Sequence, residues 1–255
     1  MTITFSQLGN TGHLGNQMFQ YAALRGLADR HGYDWAIPPR ELFGSHYPLK
    51  SSIYDCFELS SIKESNQAVS AAPQSFQERH FHFDEDLFNN CPDNIDIVGY
   101  FQSEKYFKHM SNKIVDDFYF TEKFEKPFDE YISLHVRRGD YLNSPSHHPA
   151  CSVEYYKNGL SIIGSNLPVV IFSDDIDWCK NNIPADYYSE SNNANKDLFL
   201  MANATHNIIA NSSFSWWGAW LNQNPDKIVV APGAWVGPAY DFDTKDIVPK
   251  DWTII

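Results

Sequence analysis

Two periodicities alternate along this chain. Short runs rich in β-branched and aromatic residues read as strands, and between them lie longer stretches whose apolar side chains recur every three or four positions, as in helices. Residues 2–7 form the first strand-like run. A turn from Gly9 to Gly15 leads into a helix over 16–31, in which Met18, Tyr21, Ala22, Leu24, Leu27 and Ala28 make an apolar stripe and Gly32 is the stop. Trp35-Ala36-Ile37, ahead of Pro38-Pro39, predicts a short second strand. Residues 40–94 are polar and show no clear strand–helix repeat, after which 95–100 reads as a strand and 103–118 as a helix.

Past Pro127 the alternation becomes regular. Strands are expected at 131–136, 168–173, 186–189, 207–210 and 227–231, with helices at 152–164, 175–182, 195–204 and 213–222. Strands alternating with helices imply an α/β fold built on parallel sheet. The change of character divides the chain into an irregular N-terminal α/β half, residues 1–125, and a nucleotide-fold half, residues 126–255, whose last residues pack back on the first half.

Composition narrows the function classes. The 19 Lys and Arg against 32 Asp and Glu give a net charge of −13, which argues against nucleic acid and anionic membranes as partners. A hydrophobic fraction of 43% with 20% charged residues is that of a folded globular chain. No apolar run approaches the ~20 residues of a membrane span, and the first residues lack a basic stretch followed by an apolar core. The four cysteines, Cys56, Cys91, Cys151 and Cys179, form no Cys-x2-Cys pair. They read as reduced thiols of a cytoplasmic protein.

Open parallel sheets bind ligands beyond the carboxyl ends of their strands, and four polar clusters fall at such ends. His135-Val136-Arg137-Arg138-Gly139-Asp140 leaves the strand at 131–136. A guanidinium fork suits bidentate phosphate contact. Strand alternation would aim His135 and Arg137 together and Arg138 away, although either arginine could instead pair with Asp140. Ser173-Asp174-Asp175 ends the next strand. A carboxylate there can accept the paired N–H donors of guanine or the hydroxyls of ribose, or Ser173 or Asp174 can simply cap the next helix. Asp175-x-Asp177 has the spacing of a metal-bound nucleotide-sugar site, but Asp84-x-Asp86 and Asp241-x-Asp243 share it.

Asn211-Ser212-Ser213-Phe214 opens a helix directly from a strand, so its free backbone N–H groups can hold an anion. Trp216, Trp217 and Trp220 downstream read as packing. Finally, Gly9-x2-Gly12-x2-Gly15 has neither the spacing of a dinucleotide loop nor the Lys of a phosphate loop. It reads as a tight turn presenting Asn16 and Gln17 to a cleft. His147 and His148, between Pro145 and Pro149, read as a solvated loop.

Taken in order, Gly12-His13-Leu14-Gly15-Asn16-Gln17-Met18-Phe19-Gln20-Tyr21-Ala22, His135-Val136-Arg137-Arg138-Gly139-Asp140-Tyr141, Phe172-Ser173-Asp174-Asp175 and the run from His206 to Trp220 resemble the motifs of glycosyltransferase family 11, the α-1,2-fucosyltransferases. His13 departs from the Gly or Arg often found there. The resemblance implies a GT-B architecture of two Rossmann-like halves around a cleft. It also implies GDP-β-L-fucose as donor, a glycan ending in galactose as acceptor, inversion at the sugar carbon and no metal. By the same resemblance Arg137 holds the β-phosphate, Ser212, Ser213 and Phe214 line phosphate and ribose, and Asp174 or Asp175 reads guanine. His135 lies near the nucleoside, with Asn16 and Arg138 also on the donor side. Asp140 and His13 are the candidate bases. Two alternatives remain: a metal-dependent transferase of the GT-A kind using Asp175 and Asp177, and a binding protein that holds a GDP-sugar without turnover.

Overall fold

The computed structural model describes residues 1–45, 49, 51–59 and 74–255. It forms two compact units, Met1–Glu122 with Phe242–Pro249, and Lys123–Asp241 with Lys250–Ile255.

The first unit holds, in chain order, β1 (Thr2–Thr4), α1 (Leu14–His31), β2 (Asp34–Ala36), α2 (Ile53–Cys56), β3 (Gln74–Gln77), α3 (Glu85–Asn90), β4 (Ile95–Val98) and α4 (Ser111–Asp117). Among the described residues its sheet has the order β2-β1-β4-β3, with every pair parallel. Helix α1 ends as expected: Gly32 takes φ +66°, and its N–H and that of Tyr33 turn back to the carbonyls of Asp29 and Ala28. The helix is not one-sided, however. Gln17 and Gln20 are buried along with the apolar stripe, which makes α1 the centre of the unit rather than a surface helix.

Two departures from the sequence pattern have physical causes. The stretch 103–118 is two short 3-10 turns, Glu104–Tyr106 and Lys108–Met110, followed by α4. Its backbone is pressed onto α1 at Gly26, where an added Cβ would lie 2.0 Å from the Tyr106 carbonyl oxygen. Strand β3 arises in the stretch without a visible repeat because it is a largely exposed edge strand, Gln-Ser-Phe-Gln, whose single apolar residue makes no alternation. Positions 46–48, 50 and 60–73 of that stretch lie outside the described residues.

The second unit runs β5 (Ile132–Val136), α5 (Val153–Ile163), β6 (Val169–Ser173), α6 (Ile176–Asn182), β7 (Tyr187–Tyr188), α7 (Ala194–Ala202), β8 (His206–Ile208), α8 (Ser213–Leu221), β9 (Val229–Ala231) and β10 (Thr253–Ile254). The sheet is all parallel in the order β10-β9-β8-β5-β6-β7. Counted within the unit this is the doubly wound order 3-2-1-4-5-6. Strand β10 was not visible in the sequence, because Thr253 and Ile254 are exposed and lie at the sheet edge. All five residues of β5 are buried, as a central parallel strand requires. Ile132, Leu134 and Val136 pack with Ile171, Tyr156 of α5 and Cys179 of α6 on one face. On the other, Tyr131, Val170 and Phe172 pack with Leu200 and Met201 of α7.

Candidate active site

In the second unit the strand order reverses between β5 and β8, whose neighbouring connections run to opposite sides. Ligands of doubly wound sheets bind beyond the carboxyl ends of the strands at such a reversal. Beyond β5 lie Arg137, Arg138 and Asp140, and beyond β8 lie Asn211, Ser212 and Ser213. Asp174 and Asp175 follow β6, the other neighbour of β5.

Strand β5 stops at Val136, so neither arginine obeys strand alternation, and both turn toward the end of β6. Arg137 bridges two carboxylates, with Nη2 2.5 Å from Asp140 and Nη1 2.7 Å from Asp174, and its guanidinium lies 5.3 Å from the Tyr141 ring centroid. Arg138 does not pair with Asp140. Its Nε lies 3.0 Å from Asp175, and its guanidinium stacks 3.8 Å from the Trp178 ring centroid. Trp178 was missed in the sequence because it sits on α6, forty residues from its partner.

The two aspartates are already engaged. Asp174 accepts the Arg138 backbone N–H on Oδ1 and pairs with Arg137 through Oδ2. Asp175 caps α6 through the Trp178 N–H and pairs with Arg138. The cap is therefore Asp175, not Ser173 or Asp174, and a guanine edge at either carboxylate would share it with an arginine. Of the Asp175-x-Asp177 pair, Asp175 is taken up by this cap and by Arg138. Among the described residues no cluster of three His, Cys, Asp or Glu is arranged to hold a metal ion. Gly139 is there for space: a Cβ would lie 2.5 Å from Asp174 Oδ2 and push it off Arg137.

His135 is buried on the β5 face shared with Phe172, its ring centroid 5.9 Å from that of Phe214. Among the described residues its Nδ1 has no hydrogen-bond partner. Burial, reinforced by the charge of Arg137 and opposed by Asp174, brings its pKa down to about 4, so the ring is neutral at pH 7. On the β8 side, Ser212 precedes α8 and makes no side-chain capping bond to its first turn, which carries no acidic residue. That leaves the helix start suited to an anion. Trp216 and Trp217 are fully buried and pack with Trp220 and Trp252.

Tyr141, also missed as a site residue, ties the two strand ends together: its hydroxyl donates to the Asn211 carbonyl at 2.9 Å. His148 stacks on Tyr141 at 4.9 Å, and both His147 and His148 meet Tyr240 edge-on. The loop is thus packed on one side and half-exposed on the other, and burial lowers the His148 pKa.

The remaining expected residues belong to the first unit. His13 is exposed at the head of α1. Asn16 accepts from Gln102 Nε2 at 2.8 Å. Gln17 is not presented outward: it is fully buried, donating to the Ser51 carbonyl and accepting from the Ile53 N–H. Gly9 and Gly12 take φ +84° and +81°, conformations the turn needs and other residues resist.

Residues 3–255 match glycosyl transferase family 11. An alpha-1,2-colitosyltransferase of Escherichia coli is 30% identical over an alignment of 297 positions that covers 100% of this chain and 99% of that protein. The galactoside 2-alpha-L-fucosyltransferase SEC1 of Bos taurus is 24% identical over 82% of this chain and 62% of its own, so the chain spans under two thirds of that relative. Among solved structures, POFUT1 in complex with GDP superposes with a TM-score of 0.50 at 12% identity, covering 91% of this chain and 99% of that one. This likeness shows the fold, α/β of the GT-B-like kind. No described helix is long and apolar enough to cross a membrane.

Proposed function

Because this chain belongs to glycosyl transferase family 11, we propose that it is an inverting α-1,2-fucosyltransferase. It moves L-fucose from GDP-β-L-fucose to O2 of a terminal β-galactoside. The observation that carries this reading is the pairing, at the β5/β8 reversal, of the Arg137 fork with an α8 start that its own serine does not cap. Both are fixed sources of positive potential, and together they suit a diphosphate. Relatives named for α-1,2 transfer and for galactosides support the linkage and the acceptor.

In the proposed reaction the acceptor hydroxyl attacks C1 of fucose from the face opposite GDP. The C1–O bond to the diphosphate breaks through an oxocarbenium-like state, and negative charge accumulates on the departing β-phosphate. Arg137 and the N–H groups heading α8 stabilise that charge, the task a divalent cation performs in metal-dependent transferases, so no metal is required. Diphosphate oxygens replace Asp140, which is 66% exposed, as one partner of Arg137. Neutral His135, Phe214, Ser212 and Ser213 line the donor, and Arg138 with Asp175 braces the strand end. Asp140 and exposed His13 are the base candidates for the acceptor proton. The four free cysteines suit the cytoplasm.

The full-length likeness to a colitosyltransferase favours one second reading, the same transfer with colitose, a 3-deoxy analogue of fucose. A panel of GDP-fucose, GDP-colitose and UDP-galactose with terminal β-galactosides, read as GDP or UDP release with and without EDTA, decides between them. Acceptor-dependent release from GDP-fucose that survives EDTA supports the proposal. Release from UDP-galactose, or complete loss in EDTA, overturns it.

A further inference from the structure

Asparagine just ahead of a helix is a favoured capping residue, yet Asn211 does not cap α8. The cap position belongs to Ser212, and Asn211 is the middle residue of a γ-turn, closed by the Ser212 N–H on the Ala210 carbonyl at 2.8 Å. Its buried side chain is engaged elsewhere. Nδ2 donates to the Pro149 carbonyl at 3.0 Å and to the Trp235 carbonyl at 3.1 Å, and Oδ1 accepts from the Cys151 thiol at 3.6 Å. The amide thus moors the exit of β8 onto two loops.

Tyr141 joins this mooring to Arg137. The Arg137 guanidinium lies 5.3 Å from the Tyr141 ring centroid, and the hydroxyl at the far end of that ring donates to the Asn211 carbonyl at 2.9 Å. A single stiff side chain with two rotatable bonds therefore runs from the arginine beyond β5 to the residue ahead of the α8 cap. Burial pushes the Tyr141 hydroxyl up to about 12, so it remains a donor at neutral pH.

We propose that Tyr141 and Asn211 are positioning residues that form a strut, fixing the spacing between the Arg137 fork and the α8 start so that both meet one diphosphate without rearrangement. The proposal rests on the reading of this sheet end as the donor site. Donors held in place need no reorganisation as charge builds on a leaving group, whereas a misplacement of about 1 Å can cost ~100-fold in rate. Tyr155 supplies the comparison. Its hydroxyl also braces the β8 exit, donating to the Ile209 carbonyl at 2.6 Å, but it reaches in from α5 rather than from the arginine-bearing loop.

The test titrates the full chain with GDP and with inorganic pyrophosphate by calorimetry, as wild type, Tyr141→Phe, Asn211→Ala, Tyr155→Phe, Arg137→Lys and the Tyr141→Phe/Arg137→Lys double variant. Tyr141→Phe, which deletes one oxygen and keeps the ring, should weaken both ligands about tenfold. Its melting temperature should fall by no more than a few degrees. Asn211→Ala should weaken both ligands at least as much; should it fail to fold, Tyr141→Phe decides. Tyr155→Phe should melt lower yet bind both ligands within about twofold of wild type. In the Arg137→Lys background the loss from Tyr141→Phe should shrink to under about threefold, because a strut acts only through the fork it sets. In turnover Tyr141→Phe should lower kcat with the acceptor KM little changed. Wild-type affinity in Tyr141→Phe, equal losses in Tyr141→Phe and Tyr155→Phe, or the full loss repeated in the Arg137→Lys background overturns the strut. Wild type that binds pyrophosphate but not GDP overturns the guanine-nucleotide reading and leaves the strut to be decided by the pyrophosphate titrations. Wild type that binds neither overturns both.

Discussion

Replacing Arg137 by lysine separates the catalytic from the structural work of this side chain. In the unliganded protein the guanidinium spans Asp140 and Asp174 at 2.5 and 2.7 Å. The Asp140 arm is screened by water, that carboxylate being 66% exposed, and contributes no more than about 0.5 kcal/mol. The Asp174 arm is better shielded, with side-chain exposures of 26% and 23%, and contributes about 1 kcal/mol. A lysine keeps one arm, so folding should lose about 0.5–1 kcal/mol, a fall in melting temperature of a few degrees at most. The transition state is affected more. An arginine fork holds two diphosphate oxygens as charge builds on them, and an ammonium holds one. Losing a charge-assisted contact of this kind costs ~2–4 kcal/mol, roughly 30- to 1,000-fold in kcat. Steady-state GDP release and thermal melting on the same preparations measure both effects. Arg138→Lys is the comparison: it loses the stack on Trp178 and the Asp175 contact, so its damage should register first in melting temperature. Near wild-type kcat for Arg137→Lys, or a larger kcat loss for Arg138→Lys, would refute the phosphate-clamp reasoning.

Ser213→Asp should abolish GDP binding by calorimetry while slightly raising the melting temperature, since a carboxylate at a helix start repels a diphosphate but favours the helix dipole; unchanged GDP affinity would make the α8 start a plain helix terminus. Two buried groups give opposite pH signatures. Burial raises Glu78 to about 7, so the folded state keeps a proton that the unfolded chain releases, and stability falls as pH rises from ~4.5 to 7. His135, lowered to about 4, adds stability above its unfolded pKa that is lost as pH drops from ~6.5 to 4. Urea melts of Glu78→Gln and His135→Gln against wild type at pH 5 and 7.5 should shift with opposite sign, and shifts of the same sign would refute one of the two burials. Gly26→Ala should cost at least ~2 kcal/mol and disorder the first unit, because its Cβ meets the Tyr106 carbonyl at 2.0 Å; a wild-type melt would show that the turns over 104–110 are free to move off α1.

The residues bearing the chemistry were legible in one dimension where the cause is local. Continuous apolar runs marked β5 and β6 because a central parallel strand is buried on both faces, and the Asn-Ser-Ser leading into an apolar helix marked the α8 start. Partners were not legible. Whether Arg137 or Arg138 meets Asp140, Asp174 or Asp175 depends on β5 pairing with β6 so that Val136 lies beside Ser173, which sets strand ends 36 and 37 residues apart next to each other. The short edge strands β3 and β10 left no trace, since their side chains are mostly exposed and so nothing selects an alternating pattern. The break in 103–118 came from the backbone of another element pressing at Gly26. Glu78 is an ordinary acidic residue in the sequence, and its shifted proton affinity and its grip on Tyr100 and Phe101 exist only because the fold removes water from around it. Local periodicity records what each element buries, whereas register, close approach and desolvation are properties of the packed chain.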